Sequence, residues 1–361
     1  MKKILQGNIA FCEGAIEGGL DAYYAYPITP QNEISAYFAE KLPQLGKVFL
    51  QAESEVAAIN MVFGTALTGK RALTTSSSPG VSLMQEGISY LCGCELPCVI
   101  ANVMRGGPGL GNISGSQQDY FQSTRGGGHG DYYTIVLAPF SVKEIYEFAK
   151  ESFLLAEKYR NPVLIVFDGY LGQMMEVFDD EQQEGKLNVK IEEPIDKSWV
   201  LNGAKNRAPR KIHSLLMKEG ELESLNWKLK KKYDRIRECE VRVEFYNVED
   251  SQICIVAYGI SARVSLEAVN KLRKEGIKIG LIRPITLFPF PYKQINEVAK
   301  KTKKFLVVEM NLGQMLEDVK LAVNGEANVY FYGRPGGSLV SSQEIIKEVE
   351  KIIKNEANSL C

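Results

Sequence analysis

Short apolar runs alternate with longer stretches whose apolar positions fall three or four residues apart along the first half of this chain. The runs predict strands at 22–25, 48–51, 71–76, 98–104, 134–137 and 163–167. The helical spacing between them predicts helices that include 32–42, 55–67, 81–92 and 142–158. This order argues for a mostly parallel sheet covered on both faces. The pattern changes at about 179. Residues 179–250 are charged and poor in strand signals, with Asp179-Asp180-Glu181, Lys230-Lys231-Lys232 and a polar helical stretch around 215–237. They read as a connector that wraps one domain or bridges two, anchored by Leu215, Leu216, Leu222, Leu225 and Trp227. From 251 the alternation resumes, with strands expected at 253–258, 278–282, 304–308 and 329–332 and a helix at 261–274. The expected layout is α/β throughout: a doubly wound parallel sheet over 1–178, a connector over 179–250, and a second, smaller α/β domain over 251–361.

Size and charge narrow the function. The 361 residues suffice for two or three domains with a sizeable core. Lys plus Arg number 43 and Asp plus Glu 44, for a net charge of −1. That balance gives no reason to expect nucleic acid or an anionic membrane as a partner. No apolar run reaches bilayer length, and the N-terminus has no long apolar stretch after Lys2 and Lys3, so neither a span nor a secretory signal is read. The seven cysteines, an odd number, point to reduced thiols in a cytoplasm. Cys92, Cys94 and Cys98 are spaced C-x-C-x3-C, unlike an iron–sulfur set, and are read as buried structural thiols.

Candidate chemistry gathers where strands are expected to end. In Tyr26-Pro27-Ile28-Thr29-Pro30, two prolines bracket one threonine just after a strand. Each proline fixes its own φ and keeps the preceding residue out of the helical region, so Thr29 is held extended at the edge where α/β sheets bind ligands. Ser54 is a candidate N-cap, Glu53 is read as structural, and Glu55 opens a helix rich in small residues that invites close approach, as a buried carboxylate at an interface. The stretch 71–80 ends in Ser76-Ser77-Ser78-Pro79-Gly80, either a simple cap or an anion site at a helix N-terminus. Arg105 follows a strand and precedes four glycines within 106–111. It reads either as a surface turn or as a guanidinium presented to a carboxylate or phosphate, with glycines that let a ligand approach the backbone.

Other signatures fail. Gly109-Leu110-Gly111 lacks the third glycine of G-x-G-x-x-G, because position 114 is serine, and this disfavours a nicotinamide dehydrogenase. Gly64 to Lys70 matches G-x4-G-K but continues with Arg71 at a helix end. With two histidines, His129 in a glycine-rich loop and His213 in the connector, triads and zinc sites have little support.

Taken together, these motifs resemble the α-type subunits of 2-oxoacid:ferredoxin oxidoreductases, over nearly the whole chain. The resemblance rests on residues 14–23 leading into Tyr26-Pro27-Ile28-Thr29-Pro30, on Glu53-Ser54-Glu55 with Ala57-Ala58, and on Thr74-Thr75-Ser76-Ser77-Ser78-Pro79-Gly80. It continues through Gln85-Glu86-Gly87, Arg105-Gly106-Gly107-Pro108, Gln118-Asp119-Tyr120, the stretch 281–289, Gly313-Gln314-Met315 and Gly333-Arg334-Pro335-Gly336-Gly337. It implies a thiamine-diphosphate pyrimidine-binding domain first and a transketolase-C-like domain last. It also implies a reaction in which a 2-oxoacid, coenzyme A and oxidised ferredoxin give acyl-CoA, CO2 and reduced ferredoxin. By motif position it makes Glu55 the catalytic carboxylate that promotes the imino form of the aminopyrimidine. It makes Thr29 and Arg105 the groups that receive the substrate carboxylate, and Pro27, Ile28, Glu55 and Ser78 the cofactor contacts.

The Gly-Asp-Gly motif with a downstream Asn, which holds Mg²⁺ and the diphosphate in thiamine enzymes, is absent; Gly130-Asp131-Tyr132 is the nearest approach. A ferredoxin-like cysteine set is absent too. The resemblance therefore implies a β-type partner carrying the diphosphate, Mg²⁺ and a cluster, with γ-type and small ferredoxin-like subunits. The stretch Gly109-Leu110-Gly111-Asn112-Ile113-Ser114 resembles the branched-chain group, which takes 2-oxoisovalerate, more than the 2-oxoglutarate group. Arg125 is the one nearby cation that a distal carboxylate would find. The alternatives are a 2-oxoglutarate enzyme subunit and a non-catalytic assembly subunit.

Overall fold

The computed structural model describes residues 2–179, 186–191 and 194–359. Asp180 and Glu181 of the acidic run lie outside them. Among the described residues the first part contains β1 (Lys2–Gln6), α1 (Gly7–Glu17), β2 (Ala22–Ala25), α2 (Asn32–Gln44), β3 (Val48–Gln51), α3 (Glu55–Leu67), β4 (Ala72–Ser76), α4 (Ser78–Gly93), β5 (Val99–Met104), α5 (Tyr120–Arg125), β6 (Ile135–Leu137), α6 (Val142–Tyr159), β7 (Val163–Asp168), α7 (Gly169–Gln173) and β8 (Met175–Asp179). Helix α8 (Glu221–Cys239) follows. The last part contains β9 (Val243–Tyr246), β10 (Ile253–Val256), α9 (Gly259–Lys274), β11 (Ile279–Pro284), β12 (Thr286–Phe288), α10 (Tyr292–Ala299), β13 (Lys304–Glu309), α11 (Gln314–Val323), β14 (Asn328–Gly333) and α12 (Ser342–Ser359).

The first sheet has the order β12-β6-β7-β5-β4-β2-β3. All its strands are parallel except β12, which joins the β6 edge antiparallel. The central strands β4, β5 and β7 are buried along their whole length, which suits apolar runs covered on both faces. The second sheet has the order β14-β13-β10-β11-β9, with β9 antiparallel. Strands β1 and β8 pair separately as a two-stranded ribbon. The expected fold class is the observed one: a doubly wound parallel sheet and a smaller α/β part.

The differences are instructive. Helix α4 begins at Ser78, not 81, because Pro79 needs no donated hydrogen bond in a first turn. Helix α8 begins at 221, not 215, since Gly220 takes φ +78°. The stretch read as poor in strand signals holds β9, whose period-two pattern at Val243 to Tyr246 is short and flanked by charge. Helix α1 went unpredicted because glycine-rich sequence weakens helical propensity. Gly14 and the C-cap Gly18 serve packing: a Cβ at Gly14 would stand 2.2 Å from the Tyr146 carbonyl oxygen, and one at Gly18 2.5 Å from that of Lys150, both on α6.

Two features bind the α/β parts together. Strand β12 lies in the last part of the chain yet completes the first sheet, with Phe288 stacked on Tyr133 at 4.5 Å between centroids. On β11, the fully buried Arg283 makes a bidentate pair with Glu144 of α6 at 2.8 and 3.0 Å and also meets Glu244 of β9 at 2.8 Å. Fork geometry of this kind satisfies a buried guanidinium.

Candidate active site

Strand β2 has β3 on one side and β4 on the other, so the chain reverses its direction of travel across the sheet between β2 and β4. Such a switch point leaves a crevice at the carboxyl edge. The loops after β2, β4, β5 and β7 all open there because the strands are parallel. Thr29 and Arg105 lie on these loops, Ser78 opens the helix that follows β4, and Asp168 ends β7.

Arg105 joins three of these loops. Its Nη1 donates to the Thr29 carbonyl at 3.0 Å and its Nη2 to the Leu110 carbonyl at 3.2 Å, while Nε is buried without a partner. Its backbone N–H donates to Ser78 Oγ at 2.9 Å. The Thr29 hydroxyl accepts from Asn32 at 3.2 Å and is partly exposed. Pro27 is exposed and Ile28 partly so, both facing outward from the same loop. Of the glycines after Arg105, Gly107 and Gly109 face open space, whereas Gly106 and Gly111 pack against the chain itself. Gly111 takes φ +59° and its position would bring a Cβ within 1.7 Å of the Gly106 carbonyl oxygen, so backbone approaches backbone. The N–H groups of Gly106, Gly107 and Asn112 are bonded within the chain to Ser114, Gln118 and Gly106.

Glu55 lies across the β4–α4 turn. Ser54 caps α3 by accepting the Ala57 N–H at 3.1 Å, and this turns Glu55 inward to 5% exposure. A Cβ at Gly80 would stand 2.5 Å from Glu55 Oε1 and 2.0 Å from Ser76 Oγ, so glycine alone leaves this cradle open. The Ser76 hydroxyl beside Gly80 is buried without a partner, as are the Thr74 and Ser77 hydroxyls of the same stretch and the Gln31 amide nitrogen beside Thr75. Beneath them, Tyr23, Thr75 and Gln31 form a hydrogen-bonded chain at 2.8 and 2.6 Å. The arrangement offers one carboxylate and several unused hydroxyls, a donor set that fits an amino-heteroaromatic ring. Among the described residues, no group of three or more His, Cys, Asp or Glu is placed to hold a metal ion.

Arg105 thus contacts both the Thr29 loop and Ser78, and Gly80, two residues beyond Ser78, lies against Glu55. The Ser78 hydroxyl is not free: it meets Asp119 Oδ2 at 2.5 Å. Arg125 is paired with Asp318 at 2.7 Å and is not directed at the 109–114 loop. His129 is exposed beside the end of α4 and α8, away from this edge, and its loop is fastened through Gly127 to Gln85 and through Gly128 to Tyr132. Cys92, Cys94 and Cys98 are buried, and burial pushes the Cys92 thiol up to about 12.

Three polar residues at the site escaped the sequence reading. Asn102 sits fully buried inside an apolar strand, a polar interruption that was a usable signal. Asp119 lies in Gln118-Asp119-Tyr120, where no local pattern marks the buried contacts it makes with Ser78 and Asn102. Asp168 ends β7 and caps α7, accepting from Tyr170 and Leu171; burial pushes its carboxyl up to about 7.

A switch-point crevice lined by buried carboxylates and an arginine defines a ligand-binding α/β domain. Comparison narrows the class. Residues 13–242 match the family model for the thiamine-diphosphate-binding domain of pyruvate flavodoxin/ferredoxin oxidoreductases, and 251–345 match pyruvate:ferredoxin oxidoreductase core domain II. The ketoisovalerate oxidoreductase subunit VorB of Methanothermobacter marburgensis is 47% identical over 350 residues, covering 97% of each chain. The 2-oxoglutarate synthase subunit KorA of Methanocaldococcus jannaschii is 33% identical, covering 96% of this chain and 99% of that one. The solved 2-oxoglutarate:ferredoxin oxidoreductase of Magnetococcus marinus, with 2-oxoglutarate, coenzyme A and succinyl-CoA bound, superposes with a TM-score of 0.81 at 28% identity. This chain is covered over 97% and spans 65% of that one. A split-gene transketolase shares the fold, with a TM-score of 0.62 at 15% identity. The chain belongs to the 2-oxoacid:ferredoxin oxidoreductases, as a subunit carrying their thiamine-diphosphate-binding domain.

Proposed function

We propose that this subunit supplies the pyrimidine-side half of an active site that oxidatively decarboxylates 2-oxoisovalerate to an acyl-CoA, CO2 and reduced ferredoxin. The observation that carries the reading is the Glu55 cradle over Gly80, next to an arginine that ties the Thr29 loop to the β5 loop. When bound, thiamine diphosphate supplies a carbon nucleophile and an electron sink for loss of CO2. Glu55 would hydrogen-bond the pyrimidine ring through a carboxyl oxygen and so would promote the ring's proton chemistry. Pro27, Ile28 and Ser78 border the cofactor. Arg105 and the Thr29 hydroxyl receive the substrate carboxylate, and fixing that group is a large part of the rate enhancement.

A β-type partner completes the site with the diphosphate, Mg²⁺ and an iron–sulfur cluster, since the Gly-Asp-Gly motif is missing from this chain. A γ-type chain and a small ferredoxin-like subunit complete the assembly, which works in the cytoplasm. No helix among the described residues is long and apolar enough to cross a membrane. Within this chain the pyrimidine-binding domain covers 1–178, the connector 179–250 and the transketolase-C-like domain 251–361.

The branched-chain substrate is favoured by the relative at 47% identity, which is named for ketoisovalerate, and by Leu110 and Ile113 standing exposed beside Arg105's loop. Arg125 is committed to Asp318, which removes the cation that a 2-oxoglutarate reading would use. Purified complex is assayed for CoA-dependent viologen reduction with 2-oxoisovalerate, 2-oxoglutarate and pyruvate. The reading expects the highest kcat/KM with 2-oxoisovalerate, and preference for 2-oxoglutarate would refute it. Arg105→Ala is expected chiefly to raise the 2-oxoacid KM, and an unchanged KM removes Arg105 from the substrate site.

A further inference from the structure

Residues 116–125 run between the candidate site and the second α/β part, with Asp119 near their middle. Asp119 occupies the N-cap position of α5, yet its side chain makes no capping hydrogen bond. An aspartate there ordinarily accepts from the helix's first N–H groups. Here Oδ2 instead takes Ser78 Oγ at 2.5 Å and Asn102 Nδ2 at 3.0 Å.

Those two contacts determine the rest of the turn. Asn102 is oriented by them, so that its Oδ1 accepts the Ser78 N–H at 2.9 Å. Ser78 has one hydroxyl proton and two acceptors in reach, the Arg105 carbonyl at 3.2 Å and Asp119 at 2.5 Å; the shorter contact to the carboxylate takes the proton, and its lone pairs are left to accept the Arg105 N–H at 2.9 Å. Ser78 also sits at φ +20°, a conformation that needs holding in place. Burial pushes the Asp119 carboxyl up, against the hydrogen bonds from Ser78 and Asn102 and the charge of Arg105, which lower it.

The second α/β part fixes the segment on both sides of Asp119. Gln117 Oε1 accepts from Met310 N at 3.0 Å and Ser261 Oγ at 2.7 Å, and its Nε2 donates to the Tyr258 carbonyl at 2.8 Å. Gln314 bonds the Gln118 carbonyl at 2.7 Å and the Phe121 N–H at 2.8 Å.

We propose that Asp119 is a positioning residue: through Ser78 and Asn102 it holds Arg105 in its substrate-receiving arrangement, at a height set by the second α/β part. This rests on the reading of Arg105 given above. Neither the carboxylate nor its partners need touch the substrate for the effect.

The test uses the assembled complex with Asp119→Ala, Asp119→Asn, Arg105→Ala and the double variant Asp119→Ala/Arg105→Ala, measuring KM for 2-oxoisovalerate and for coenzyme A. Asp119→Ala is expected to raise the 2-oxoacid KM roughly 10- to 100-fold, the scale of a hydrogen bond to a charged group, with the coenzyme A KM unchanged. Asp119→Asn keeps an acceptor oxygen and is expected to recover most of the loss. The double variant is expected to be no worse than Arg105→Ala alone. Should Asp119→Ala not assemble, Asp119→Glu, which displaces the carboxylate by one methylene, is expected to show the same selective rise. Two results would overturn the role: an additive double variant, or equal rises in both KM values. If Arg105→Ala raises the 2-oxoacid KM and Asp119→Ala does not, the positioning role falls and the substrate reading stands. If Arg105→Ala leaves it unchanged, both fall.

Discussion

Glu55 owes its place to its neighbours. Ser54 caps α3, a carboxylate suits that helix's first turn, and Gly80 leaves room for the group between α3 and α4. Replacing Gly80 with alanine inserts a methyl group 2.5 Å from Glu55 Oε1. It is expected to lower turnover of the assembled enzyme by roughly 10²-fold, the scale of a misplacement of about 1 Å, measured as CoA-dependent viologen reduction. Asp168 gives a pH prediction. Burial pushes its carboxyl from the ordinary 3.8 up to about 7 in the folded chain, so between these values the folded state holds a proton that the unfolded chain has lost. Its contribution therefore makes stability fall as pH rises through that window, and Glu309, pushed by burial to about 7, acts in the same direction. Asp168→Asn is expected to flatten the decline in melting temperature between pH 5 and 7; a slope identical to the unmodified protein's would contradict this. At this scale Thr29, Glu55 and Arg105 were legible as polar residues at strand or helix ends. Asp119 was not, because its significance comes from Ser78 and Asn102, 41 and 17 residues away.

Elements were legible where pattern and packing agree. The buried runs that became β4, β5 and β7 are apolar throughout, so burial on both faces leaves a direct trace. Helix α1 left a misleading one. Its glycines oppose helix formation locally and are required by backbone-to-backbone contact with α6, which no local pattern reveals. Gly14→Ala gains helical propensity but places a Cβ 2.2 Å from the Tyr146 carbonyl oxygen. Net destabilisation of about 1–3 kcal/mol is expected by denaturant titration, because the clash is with backbone. A stabilised variant would mean that α1 stands further from α6. In the loop after β5, two of the four glycines, Gly106 and Gly111, serve a backbone-to-backbone approach that the sequence did not reveal.

Across the whole molecule, the two α/β parts interlock through β12, Gln117 and the Arg283 cluster. Linear order concealed this, since β12 lies in the sequence of one part and the sheet of the other. Arg283→Ala would leave Glu144 buried beside Glu244 without its guanidinium. A loss of about 3–5 kcal/mol of unfolding free energy is expected, measured by urea denaturation of the complex. A change below about 1 kcal/mol would mean that Lys186, which also meets both carboxylates, suffices to compensate them. The interlock also bears on function, because the same second part fastens the segment that reaches Ser78 and Arg105. The central claim is that this subunit carries the carboxylate half of a site completed by its partners. The most direct test is the turnover of the assembled complex carrying Glu55→Ala, with 2-oxoisovalerate, coenzyme A and ferredoxin. The account predicts an intact complex whose kcat is lower by roughly 10²–10⁴-fold, the range for loss of a proton-handling group. Turnover within about twofold of the unmodified complex would contradict it.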